Sequence, residues 1–350
     1  MATAIPAESR HDPRSAGIGR VYLPVLLAVL LVGAAFAMSV GHYPVTASTV
    51  LDILVASLGL SDTSHPASVV NVVMAVRLPR VLAAITVGAA LAAAGVAYQA
   101  LFRNPLASPA LLGVSSGAGF GACAAMLLQA GALGIQTSAF AGGLAAVGLA
   151  LLIANHLGRG AILILVLSGL VVSALFQALT SSLKYLADPL DTLPAMVFWL
   201  LGSLAQANRQ ELWLAIPLVL LGLLILLLLR WPTQVMEVGE DEARMLGIRV
   251  GLVRLLVIIA ATLITAAAVS LAGIVGWVGL LVPHLTRLLV GPAYPRLLPM
   301  TILMGAAYLL LVDTICRSAF ASELPLGVAT AVIGAPVFII ILMRARRQWH

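Results

Sequence analysis

Ten apolar stretches, each about as long as a bilayer is thick, constrain this 350-residue chain more than any motif does. They lie at about 21–40, 78–101, 110–128, 138–156, 161–184, 211–230, 252–272, 274–290, 299–318 and 324–343. A helix of roughly 20 apolar residues crosses a hydrocarbon core of about 30 Å with every backbone hydrogen bond made internally. The spacing therefore predicts an all-α membrane protein of about ten transmembrane helices. Hydrophobic residues make up 62% of the chain, against roughly 45–50% in soluble domains. No second composition interrupts them, so residues 21–350 read as a single transmembrane domain preceded by a polar tail at 1–20. Residues 21–40 follow a basic stretch and contain "AFA" at 35–37, as a secretion signal would. They are long enough to span, and nine further spans follow, so we read them as an uncleaved first helix.

An even number of spans puts both termini on one side. With the termini inside, fourteen of the 19 basic residues flank the spans on the cytoplasmic side. Arg77, Arg80, Lys184, Arg209 and Arg317 remain outside, an asymmetry that fixes the orientation. The pI near 9.9 follows from that excess and not from binding nucleic acid.

Charge is scarce, 9% of the residues, yet "GEDEARMLGIR" at 239–249 concentrates it between the sixth and seventh spans. Glu240, Asp241, Glu242 and Arg244 stand beside Met245, Leu246 and Gly247. Acidic residues at the start and Arg249 after the end suit a short helix's dipole. Such a segment, about 237–250, is either a solvated loop or a short amphipathic helix whose apolar edge docks a soluble partner.

Several function classes find no support. A phosphate-binding loop needs Gly-Lys-Ser/Thr, and the single lysine, Lys184, follows Leu183. Cys123 and Cys316 have no ligand spacing and read as packing residues. "GVSSG" around Ser115 matches the Gly-x-Ser-x-Gly pattern, with His284 as the nearest candidate base for an intramembrane serine hydrolase. Gly113, Ser116, Gly117 and Gly119 are explained better by close helix packing. On the outside, Arg77 and Arg80 in "RLPR", with Pro79 between them starting the second helix, and Arg317 in "DTICR" form a basic set. They anchor to headgroups, or Arg317 pairs with Asp313, or together they offer a rim for an acidic partner, which planar guanidinium groups bind bidentately. Lys184 either steers an anionic ligand or pairs with Asp188. Blocks 86–106 and 265–285 echo each other loosely, which suggests an inverted repeat. Gly88, Ala92, Gly95 and Ala97 offer a smooth, wide passage.

"RLPRVLAAITVGAALAAAGVAYQALFRNPLASPALLGVSSGAG" (77–119), "FWLLGSL" (198–204), "AGIVGWVGLLVPHLTRLL" (272–289) and "ELPLGVATAVIGAPVF" (323–338) resemble permeases of the iron-siderophore, haem and cobalamin ABC importer family. The resemblance, from about Tyr22 to Arg347, implies a type II importer permease fold in the bacterial inner membrane. It implies a second permease copy, identical or not, two cytoplasmic ATPases that hold ATP and Mg, and a periplasmic binding protein. This chain itself would bind no cofactor. "EARMLG" matches the family's coupling loop except for Arg244, so 240–248 takes the coupling role. Arg77, Arg80 and Arg317 match the arginines that receive the binding protein's glutamates, and Asn104 and Leu106 match a cytoplasmic gate. The second gate segment aligns poorly with 159–163, where we name no residue. The cargo implied is an iron chelate, a ferric siderophore or haem, with cobalamin or a molybdate-type oxyanion as alternatives.

Overall fold

Helices make up nearly all of the computed structural model, which describes residues 13–41, 43–60, 65–158, 162–319 and 323–346 and shows no strand among them. The first half contains α1 (Pro13–Ser39), α2 (Ala47–Ser57), α3 (Ala67–Asn71), α4 (Leu78–Phe102), α5 (Val114–Leu127), α6 (Ala132–Leu157) and α7 (Ile162–Leu186). The second contains α8 (Thr192–Leu201), α9 (Arg209–Leu228), α10 (Arg230–Val238), α11 (Glu240–Met245), α12 (Val250–Ala272), α13 (Val278–Val290), α14 (Tyr294–Ser318) and α15 (Leu326–Arg346). Seven helical stretches are long and apolar enough to cross a membrane. Shorter apolar helices, α5, α13 and α15, supply the other three expected spans. Outside the expected spans, α2 and α8 are additional short helices.

Three boundaries correct the expectations. Helix α1 begins at Pro13, inside the stretch expected to be a tail. The second span starts well before Pro79: α3 runs through a π-helical turn, Val72–Arg77, directly into α4. Proline has no N–H to donate and its ring crowds the preceding turn. The wider π turn absorbs this, with the Leu78 N–H bonding the Val73 carbonyl five residues back. Third, α12 ends at Gly273, whose φ of 68° is left-handed, and α13 does not start until Val278. Of the two glycines that align in the echo between 86–106 and 265–285, Gly95 lies inside α4, whereas Gly273 ends α12.

Burial divides the helices sharply. The most apolar windows of α4 and α12 are 83% and 78% buried, whereas those of α1 and α7 are only 17% and 22%. Lipid tails are as apolar as leucine, so central position is decided by close packing and not by hydrophobicity. Small residues allow that packing. A Cβ on Gly88 would lie 2.2 Å from the Gly305 carbonyl oxygen, and one on Gly95 would lie 1.8 Å from that of Gly279. Helix α4 is thus pressed against α14 and α13. With Ala92 and Ala97 fully buried, this stripe is a packing seam and not the wall of a passage. Gly117 meets Gly142 in the same way between α5 and α6, in line with the packing reading of the "GVSSG" region.

Candidate functional site

Polar side chains gather at the two ends of the bundle, which α4 alone holds about 37 Å apart at about 1.5 Å per residue over 25 residues. One end joins the C-termini of α1 and α14 to the start of α4. Here Arg80 donates from Nε and Nη2 to the Asp313 carboxylate at 2.9–3.1 Å, and from Nη1 to Glu323 Oε1 at 2.9 Å. Arg317 lies 3.8 Å from Asp313 and donates to the Ala37 carbonyl. Arg77 donates to the carbonyls of Met38, at 2.6 Å, Ser39 and Tyr43.

All three arginines and Asp313 are buried. The expectation of an exposed basic rim is corrected accordingly: the guanidinium groups are turned inward to tie α1, α4 and α14 together. A buried arginine costs several kcal/mol unless it is paired, and carbonyls and carboxylates at the helix ends provide the pairing. Pairing of Arg317 with Asp313, read as one alternative, is present. Glu323, which sequence reasoning did not single out, is the member of the network that reaches the surface, with its side chain 41% exposed.

At the opposite end stands the acidic cluster. It forms a short helix, α11, closed by Gly247 at φ 78°, with the Gly247 N–H on the Arg244 carbonyl and the Ile248 N–H on that of Ala243. Ala243 is buried beneath it, while Met245 is 80% and Leu246 61% exposed. Asp241, Glu242, Arg244 and Gly247 also face outward. Glu240 differs from its acidic neighbours: it pairs inward with Arg254 on α12 as well as with Arg244 at 3.0 Å. Arg244 also holds Asp241 at 2.6 Å. The row of acids is thus split, Glu240 fastening the helix and the others presenting it.

Helix α10, which precedes α11, is bound to the rest of this end. Arg103 donates to the Met236 carbonyl at 2.7 Å, and the Tyr294 N–H donates to Gln234 Oε1 at 2.6 Å. Arg287 donates to Gln99 Oε1 at 3.0 Å. Burial pushes the Glu237 carboxyl up to about 7, against the pull of Arg287 and Arg103. Sequence reasoning missed this web because its members are spread over α4 and the turn after it, α10, α13 and α14. The signal available was one polar residue near each helix end.

The other predicted residues fall as follows. Asn104 and Leu106 are exposed in the turn after α4, where Asn104 Oδ1 accepts the Leu106 N–H at 2.9 Å. Arg103, at φ 46°, turns the chain there. Lys184 is half-buried near the end of α7. Its expected partner Asp188 instead accepts the N–H groups of Leu190 and Asp191, and no ion pair joins the two among the described residues. Ser115 and His284 are not brought together: α5 packs on α6 and α7, whereas α13 packs on α4, α14 and α15. Of the second gate segment, 159–161 lie outside the described residues.

Comparison with known proteins agrees with this arrangement. The FecCD transport family matches residues 26–344. The molybdate import system permease protein MolB of Haemophilus influenzae is 38% identical over 322 residues, 92% of this chain and 95% of the relative. A "Probable iron chelatin transport system permease protein" of Helicobacter pylori is 40% identical over 275 residues, 79% of this chain and 83% of the relative. A solved structure described as an inward-facing conformation of a metal-chelate type ABC transporter superposes with a TM-score of 0.84 at 37% identity, covering 93% of this chain and 99% of that one. An all-helical bundle with a short charged helix between the sixth and seventh spans, and matches of this length, lead to one statement: the chain belongs to the FecCD transport family and is an ABC importer permease.

Proposed function

We propose that the chain is the membrane half of an ATP-driven importer of the bacterial inner membrane, with both termini in the cytoplasm. It works with a second permease copy, two ATPase subunits and a periplasmic binding protein. The observation that carries this reading is α11: an apolar edge of Met245 and Leu246, ringed by charge, stands exposed while Glu240 and Arg254 fasten its inner side to α12. An ATPase gripping that edge moves α12 directly. Through α10 it also moves Arg103 at the foot of α4, beside the gate residues Asn104 and Leu106.

The binding protein docks at the other end. Arg80 is held on one side by the buried Asp313 and on the other by the surface-reaching Glu323. A carboxylate of the binding protein takes the place of Glu323 on Arg80 Nη1. Arg77 and Arg317 keep the α1 end in place beneath it. Docking and ATP binding then bias one helix bundle from opposite ends, and the coupling between them is reciprocal.

The cargo is an iron chelate, supported by the iron chelatin permease and by the metal-chelate type structure. A second reading, an oxyanion such as molybdate, is favoured by the Haemophilus relative, which matches nearly the whole chain. ATP-driven uptake of ferric siderophore, haem, cobalamin and molybdate into vesicles holding the assembled importer tests this. Uptake of an iron chelate alone is the expected result, and uptake of molybdate alone overturns the cargo while leaving the transport reading intact.

A further inference from the structure

Three non-glycine residues among those described have a positive φ: Arg103, Gln129 and Trp277. Arg103 and Gln129 follow the C-terminal ends of α4 and α5, where a left-handed residue is common. Trp277 has no such reason, because it stands before a helix, between α12 and α13. Its φ is 67° and its ψ −31°, and the Val278 N–H donates across it to the Gly276 carbonyl at 2.8 Å. That is a γ-turn of the rare, strained hand, and a bulky side chain adopts it only under constraint.

Helix α15 supplies the constraint. A Cβ on Gly334 would lie 2.8 Å from Trp277 Cβ and 2.9 Å from its Cγ, so the tryptophan seats on bare backbone. One turn further on, Phe338 meets the Trp277 ring edge to face, with centroids 6.2 Å apart. Phe338 also meets His284 of α13 at 6.1 Å. The start of α15 is fixed, since the Leu326 N–H donates to the Gly202 carbonyl at 2.9 Å, but Val332 and Ile339 stand exposed on its outer side. The turn itself has room to relax. A Cβ on Gly276 would meet nothing within 4 Å, and Gly273, at φ 68°, joins the segment to α12.

We propose that Trp277 is a hinge between α12 and α13, held cocked by α15. Strained backbone persists only where its surroundings over-determine it, and such positions gather at switching segments. When α15 pivots about Leu326 and its seat leaves the ring, Trp277 returns to a negative φ and α13 turns at its start. Helix α13 carries that turn to the other end of the bundle, where Arg287 donates to Gln99 of α4 at 3.0 Å. The pivoting of α15 rests on the proposed transport cycle, whereas the strain and its seat do not.

Unfolding temperature in detergent tests the strain. Trp277→Gly and Trp277→Ala lose the same ring, but only glycine accepts the positive φ freely. The glycine variant is expected to unfold at the higher temperature, and an alanine variant that equals or exceeds it overturns the proposal. Gly334→Ala tests the seat. It is expected to lower the unfolding temperature when Trp277 is present and to leave it unchanged in Trp277→Gly. A fall of the same size in both backgrounds overturns the proposal. A spin label at Gly276→Cys follows the hinge in the assembled importer, because Cys123 and Cys316 are buried. The ratio of mobile to immobile label is expected to change about tenfold between nucleotide-free and ATP-bound states, the scale that such strain sets. An unchanged spectrum overturns the hinge, and substrate uptake by the same vesicles leaves the importer reading intact.

Discussion

Asp313 is the one buried carboxylate among the described residues. It is 1% exposed and faces Arg80 and Arg317 together. Asp313→Asn leaves two buried guanidinium groups under-compensated and is expected to cost about 3–5 kcal/mol, the penalty for breaking a buried pair, read as a fall in unfolding temperature in detergent. Arg80→Met with Asp313→Leu should recover the part of that loss that belongs to Arg80, because replacing a buried pair by apolar residues is often neutral, while the part that belongs to Arg317 persists. The sequence shows that Arg77, Arg80 and Arg317 gather at one end, since they break the charge bias of the spans. Their burial was not legible, because Arg80 and Asp313 are 233 positions apart. Glu237 gives a pH dependence. Burial pushes its carboxyl up to about 7 in the folded protein, against an ordinary value of 4.5. The folded state therefore holds that proton more tightly, and Glu237 favours folding fully below about 4.5 and progressively less as the pH rises through 7. Unfolding temperature is expected to fall across that window in wild type and to fall less in Glu237→Gln.

At the scale of elements, apolar runs locate the seven long helices and the three shorter ones among the expected spans, although the first two begin well before their expected starts, because a bilayer demands both length and closed hydrogen bonding. They do not show which helices are central. A helix apolar on every face has no stripe to mark its inside, and α4 differs from α1 chiefly in its larger number of alanines. Reading those small residues as a passage overlooked that two helices in backbone contact need the same residues as a smooth wall. Gly95→Val places a side chain where the Gly279 carbonyl already lies and is expected to prevent α4 from seating on α13. Loss of folded protein on size-exclusion chromatography checks this. A valine tolerated there would mean that the seam is loose. Helix α11 was legible as an element because its acids, its Gly247 and its bracketing apolar runs all agree, whereas the π turn before Pro79 leaves no distinct sequence pattern.

For the whole molecule, the proposed function makes the bundle a relay between two soluble partners, with α11 as the proposed handle at one end and the Arg80–Glu323 pair as the proposed handle at the other. The sequence located both ends, but the web in which Arg103 and Gln234 tie α10 to the foot of α4 and to α14, and Arg287 ties α13 to Gln99, emerges only when these four helices are brought together. The most direct measurement is ATP-driven substrate uptake into sealed vesicles containing the chain, its ATPase and its binding protein, for wild type and for Met245→Asp with Leu246→Asp. Uptake is expected to fall about tenfold or more, the loss that follows removal of two apolar anchors from an interface, while binding-protein affinity is unchanged. Uptake at the wild-type rate in that variant, or ATP-driven uptake by vesicles holding this chain without an ATPase, would contradict the account.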